Sequence, residues 1–141
     1  MDINVVEFET IQYILDTGDI EYFIENDIAA EDFTLKPDEA KYIFDYYDKY
    51  SKVPTYLEFQ SRFMSWDRLE TPKSREALLD LLKMWLLTQH TTKVFCSVRD
   101  DILNVGKYDL DQLKGRFSGY AQSMSDIIAK SSPISYESNF T

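Results

Sequence analysis

Residues 74–130 read SREALLDLLKMWLLTQHTTKVFCSVRDDILNVGKYDLDQLKGRFSGYAQSMSDIIAK. The apolar residues fall into two long periodic arms, 74–104 and 110–129, around a turn at Val105, Gly106, Lys107, Tyr108 and Asp109. From Ala77 to Leu87 every residue except Asp80 and Lys83 is apolar, which predicts a helix covered on most sides. A polar patch, 88–93, follows. A narrower stripe then resumes at Val94, Val98, Ile102 and Val105, with Phe95 beside it. Asp109 and Gln112 have the spacing of a capping box that opens the second arm, and Tyr108 can staple onto Leu113. That arm carries Leu110, Leu113, Phe117, Tyr120 with Ala121, Met124, and Ile127 with Ile128. Steps of three and four predict antiparallel packing on the first arm. At about 1.5 Å per residue the first arm spans roughly 45 Å, more than its partner arm can cover. The apolar surplus (Met84, Trp85, Leu86, Leu87 and Phe95) therefore predicts a second chain on the outer part of the hairpin. Trp85, Phe95, Val98, Ile102, Phe117, Tyr120 and Met124 are the candidate interface residues.

N-terminal to the hairpin the spacing predicts a head of short helices. Phe8, Ile11, Ile14 and Leu15 mark an amphipathic helix over 5–16, ended by Gly18. Asp19 is placed to cap a short helix over 20–26. The stretch 28–33 reads as a turn that drops Ile28 and Phe33 into the core. Pro37 suits the first turn of a third helix with Asp38 and Glu39 beside it, and Ala40, Ile43, Phe44, Tyr47 and Tyr50 form its apolar stripe. Pro54 stops that helix, and Thr55 and Glu58 make a capping box for a fourth carrying Leu57, Phe59 and Phe63. A polar connection, 65–73, with Trp66 and Leu69 as anchors, separates head from hairpin. The expected organisation is a head over 1–70, a helical hairpin over 71–130 and the start of a linker over 131–141.

Four glycines and four prolines in 141 residues disfavour an all-β fold, and the fold class read from the sequence is all-α. The chain carries a net charge of −10. Residues 1–48 hold 14 acids and 2 bases, whereas 49–141 hold 11 acids and 13 bases. An acidic head repels the nucleic-acid backbone, so tight direct DNA binding is not expected. Residues 1–4 do not start a signal peptide and no apolar run reaches membrane-spanning length, which points to the cytoplasm. The sequon at Asn139 is then incidental.

Residues that could carry chemistry are few. His90 is the one histidine and has no metal-binding partners near it in sequence; Cys96 is the one cysteine and reads as a small apolar helix residue. Gly106-Lys107 lacks the rest of a phosphate loop, and residues 16–19 fall short of a calcium loop. The acids of the first third read as solvated helix faces. Asp45, Tyr46, Tyr47, Asp48 and Tyr50 form an aromatic–acidic cluster that could be a binding patch, with Tyr47 and Tyr50 assigned to the core and Tyr46 to the surface. No catalytic residue, cofactor or metal is expected.

Residues 42–59, YIFDYYDKYSKVPTYLEF, resemble the N-terminal domain of DnaB-type replicative helicases, bacteriophage versions in particular: a helix, a K-x-P-(S/T) turn, and a helix beginning with Leu and Phe. The start VEFETIQYIL and the Ala30-Glu31-Asp32-Phe33 stretch are similar to that family as well. The resemblance implies a domain without chemistry of its own, in a parent that is an ATP-dependent DNA helicase. Hairpins would pair between subunits, as a dimer or trimer of dimers, and the resulting collar would receive primase or a helicase loader. If the sequence is phage-encoded, its place would be the host cytoplasm. The alternative is a stand-alone helicase-binding adaptor: a loader, an inhibitor or the helicase-interaction domain of a primase.

Overall fold

A computed structural model describes residues 5–68 and 73–131. The fold is all-α, with no strand among the described residues. Among the described residues six α-helices follow in order: α1 Val6–Thr17, α2 Glu21–Glu25, α3 Pro37–Tyr50, α4 Tyr56–Arg62, α5 Arg75–Leu103 and α6 Leu110–Ser131. Short 3-10 turns occupy Ala30–Asp32 and Val105–Lys107. The chain divides into two compact units, Met1–Leu82 and Lys83–Thr141, with the division inside α5.

The core of the first unit consists of the aliphatic and aromatic positions that the helical spacing selects. Ile11, Ile14, Ile20, Phe23, Phe33, Ile43, Phe59, Leu78 and Leu82 are fully buried. Each large apolar side chain removed from water contributes about 1.5–3 kcal/mol before the entropy of ordering is counted. Local signals set the ends of the helices. Gly18 closes α1 in the left-handed region at φ 74°, its N–H donating to the Ile14 carbonyl. Pro37 opens α3. Thr55 Oγ1 accepts from the Glu58 N–H at 3.1 Å while the Glu58 carboxylate accepts the Thr55 N–H at 3.2 Å, completing the capping box.

Several expectations fail for a common reason: acids in this unit act as internal ties. Asp19 caps nothing, since Ile20 precedes α2 without a side-chain cap. Its carboxylate instead accepts the Tyr13 hydroxyl and pairs with Arg75. Glu7, Glu9 and Asp32 are buried, not solvated. Glu7 accepts hydrogen bonds from the Thr34 N–H and hydroxyl and from the N–H groups of Leu35 and Lys36. One carboxylate on α1 thereby fixes the segment that enters α3. Glu9 pairs with Lys73, and Asp32 accepts the Ala29 N–H. Trp66 is buried as expected and donates its indole N–H to Gln12 at 2.9 Å. Leu69 and residues 132–141 lie outside the described residues.

In the second unit the hairpin is pinned at both ends. Near its open end the Lys83 ammonium donates to the Lys130 carbonyl at 3.2 Å, in the last turn of α6, where a cation meets the negative end of the helix. Near its tip Asp101, only 4% exposed, accepts two hydrogen bonds from the Arg116 guanidinium, at 2.7 and 2.9 Å, and one from the Tyr120 hydroxyl. Pairing of 83 with 130 and of 101 with 116 and 120 makes the two helices antiparallel. Asp109 and Gln112 exchange the hydrogen bonds of a capping box, at 3.0 and 2.8 Å. The polar patch at 88–93 does not interrupt α5, because the Thr88 and Thr92 hydroxyls return to the Met84 and Thr88 carbonyls one turn back.

The stripe expected on the first arm is corrected at its outer end. Ile102 and Val105 are exposed, and the residue turned inward is Asp101. The buried Asp101 carboxylate, paired with the part-exposed Arg116, replaces apolar packing there, so hydrophobic spacing misses it by one position. On α6 the covered residues are Leu113, Tyr120, Met124 and Ile127, while Leu110, Ala121 and Ile128 face out.

Candidate functional site

Two surfaces carry more apolar or aromatic area than their own unit uses. The first is the outer part of the hairpin. Phe95 is 68% exposed, Ile102 59%, Leu110 67% and Leu103 and Val105 more than half exposed. Phe117 is exposed as well, its ring 6.3 Å from that of Tyr120. Of the seven candidate interface residues, Phe95, Ile102 and Phe117 stand open. Val98 and Met124 are partly covered. Trp85, at 6% exposure, offers no surface to a second chain. Tyr120 is engaged by Asp101, and donating to that carboxylate pushes its hydroxyl pKa up. The Arg116 hydrogen bonds, followed by that of Tyr120, hold the Asp101 carboxyl below its usual range. Arg116 also lies over the Tyr108 ring, 4.8 Å from its centroid. Asp101, Arg116 and Tyr120 thus form a polar clamp beside a set of uncovered apolar side chains.

The second surface is a groove of about 880 Å³ on the first unit, between α3 and α4. Tyr42, Tyr46 and Tyr50 recur at i, i+4 and i+8 and form its wall, with ring centroids 6.0 and 4.6 Å apart. Phe63, past the end of α4, meets the Tyr42 ring edge-on at 5.7 Å. Tyr46 donates its hydroxyl to Glu58 at 2.9 Å, tying α3 to α4. Glu58 sits below the ordinary glutamate range because of the Thr55 N–H first and that hydroxyl second, and Tyr46 is shifted up by the same bond. Three cations line the groove. Lys41 is paired with Asp45 at 2.6 Å, Arg62 lies over the Tyr42 ring at 5.0 Å, and Lys49 lies over the Tyr50 ring at 5.2 Å.

The aromatic–acidic cluster seen in the sequence is therefore split. Asp45, Tyr46 and Tyr50 line the groove, whereas Tyr47 turns away and donates its hydroxyl to Glu21. Tyr50 is half exposed, not core, because it lies in the last turn of α3 with its ring against Tyr46. Leu57 is also exposed, on the outer side of α4. Sequence reasoning missed Tyr42, Arg62 and Phe63. The i, i+4, i+8 run of tyrosines was the signal that could have found the first, and the partner residues on α4 and just beyond it become visible only once the helices pack.

His90 is exposed on α5, and its Nδ1 lies 3.0 Å from the Leu86 carbonyl, so that nitrogen carries the proton and donates. Among the described residues no group of three or more His, Cys, Asp or Glu is arranged to hold a metal ion, and no helix is long and apolar enough to cross a membrane. In comparisons with known proteins, no family profile, no curated sequence and no solved structure matches this chain.

Proposed function

We propose that this chain is a non-catalytic helical association module whose hairpin pairs with a second copy of itself. In its finer form the reading is the N-terminal domain of a DnaB-type replicative helicase. There it would join subunits as a dimer or trimer of dimers and receive primase or a helicase loader, in the cytoplasm of a cell or of a phage host. The supporting observation is the outer hairpin. Phe95, Ile102, Leu103, Val105, Leu110 and Phe117 are left exposed on a hairpin already pinned at both ends by its own polar contacts. Because these contacts already tie the two arms together, less ordering is left to be done when a second apolar face packs against them.

Sedimentation velocity over a concentration series tests this. The chain is expected to move from monomer to dimer or larger, and the double variant Phe95→Glu, Ile102→Glu is expected to remain monomeric with an unchanged helical circular-dichroism spectrum. A wild-type chain that stays strictly monomeric at high concentration refutes the pairing. Co-sedimentation with the primase of the same replication system tests the finer reading.

A further inference from the structure

The groove between α3 and α4 takes no part in the proposed pairing of hairpins, and its electrostatics run against those of the unit that holds it. Residues 1–82 contain 19 acids and 8 bases, so nearly every cation there has carboxylates to choose from. Five of the eight find one: Lys36, Lys41, Arg68, Lys73 and Arg75. Lys49, Lys52 and Arg62 make no ion pair among the described residues, and two of these three line the groove. Both instead rest on tyrosine rings that form its wall. A cation held over a ring gives up part of its rotamer freedom while its hydrogen-bond donors stay available to a partner. The groove's two carboxylates are Asp38 and Asp45, the second of them spent on Lys41, and it presents two cations without an ion pair at the ends of an aromatic wall.

We infer that this groove docks a short acidic–aromatic peptide segment of another protein, with one or two carboxylates on Arg62 and Lys49 and an aromatic side chain against Tyr46 and Phe63. Charge alone would favour a basic partner for so acidic a unit. The ring faces that would hold its lysines or arginines, however, are already occupied by Lys49 and Arg62. A single-stranded nucleic acid could stack on the same rings, but it brings one charge per nucleotide into the field of a chain with net charge −10, and two free cations do not make a phosphate track. A peptide with one or two carboxylates matches the number of cations available.

Fluorescence anisotropy with labelled probes tests the assignment. The probe is a short Gly/Ser peptide carrying an Asp-Phe-Asp core. The controls are the same peptide with Ala for Phe, one with Lys for each acid, and an oligothymidylate. The acidic Phe peptide is expected to bind saturably and at least about tenfold more tightly than any control, weakening as salt is raised. Both cations are exposed, so Lys49→Glu and Arg62→Glu, singly and together, should leave the helical spectrum intact, and the double variant should lose about tenfold or more in affinity. The hairpin variant Phe95→Glu, Ile102→Glu should bind as the wild type does, which separates this site from the pairing surface. Absence of saturable binding, equal or tighter binding of the Lys peptide or oligothymidylate, or indifference to the double substitution overturns the proposal.

Discussion

Replacing Glu7 by glutamine swaps one carboxylate oxygen for an amide nitrogen and changes almost nothing in shape. The side chain is fully buried, and Thr34, Leu35 and Lys36 donate to both of its oxygens. Oε1 serves the N–H groups of Leu35 and Lys36, which cannot turn around. The amide nitrogen is therefore best placed on the Oε2 side, where the Thr34 hydroxyl can rotate to accept it and the Thr34 N–H is left facing a donor. An orphaned buried N–H costs about 1–3 kcal/mol, and turning two charge-assisted hydrogen bonds into neutral ones costs about another 1 kcal/mol in all. A loss of about 3 kcal/mol follows, a large share of the roughly 5–15 kcal/mol that stabilises an ordinary domain. Urea unfolding followed by Trp66 fluorescence in a Trp85→Phe background reads this out. With a slope near 2 kcal/mol per molar, the midpoint should fall by about 1.5 M at unchanged slope. The exposed control Glu31→Gln should stay within about 0.5 kcal/mol of the parent. If Glu7→Gln matches that control, the carboxylate is not the tie that holds the entry to α3.

The Asp101 latch predicts a pH dependence of the hairpin. Because the Asp101 pKa is depressed in the folded state, chiefly by Arg116, the ionised group contributes stability that is full above its ordinary value of 3.8 and lost as pH falls through the lower folded value. Thermal unfolding across that range should find Asp101→Asn less stable than wild type at neutral pH, with the gap closing at acid pH; a gap that persists there refutes the assignment. Gly115 and Gly119 sit mid-helix in α6 with open space where a Cβ would go, so each Gly→Ala change should stabilise the dilute chain by about 0.5–1 kcal/mol in the same measurement.

Features encoded by adjacent residues were legible in the sequence. The two capping boxes, the Gly18 stop, the Pro37 start and the hairpin turn all depend on neighbours within four positions, and the structure places them where that chemistry requires. Features that depend on a distant partner were not. Nothing near Asp101 announces that Arg116 will neutralise it, so the apolar pattern was read one residue too far, onto Ile102. Glu7 and Glu9 look like the wet face of an amphipathic helix until Thr34, Leu35, Lys36 and Lys73 arrive from elsewhere in the chain. The groove was half legible, since its tyrosines share one helix while Arg62 and Phe63 come from beyond the next turn.

That α5 supplies Leu78, Leu79 and Leu82 to the buried core of the first unit, and then runs on as the first arm of the second, bears on how the molecule is made and how it can be cut. As the chain leaves a ribosome, the first four helices cannot complete their core until α5 has emerged past residue 82, so the N-terminal half must wait for part of the hairpin before it can close. A dissection at the polar connection near residue 70, the natural place to cut by composition, would strip three leucines from that core and yield a sticky, half-folded fragment. A cut that respects the packing has to fall within a helix, which is why the two halves are best studied as one chain.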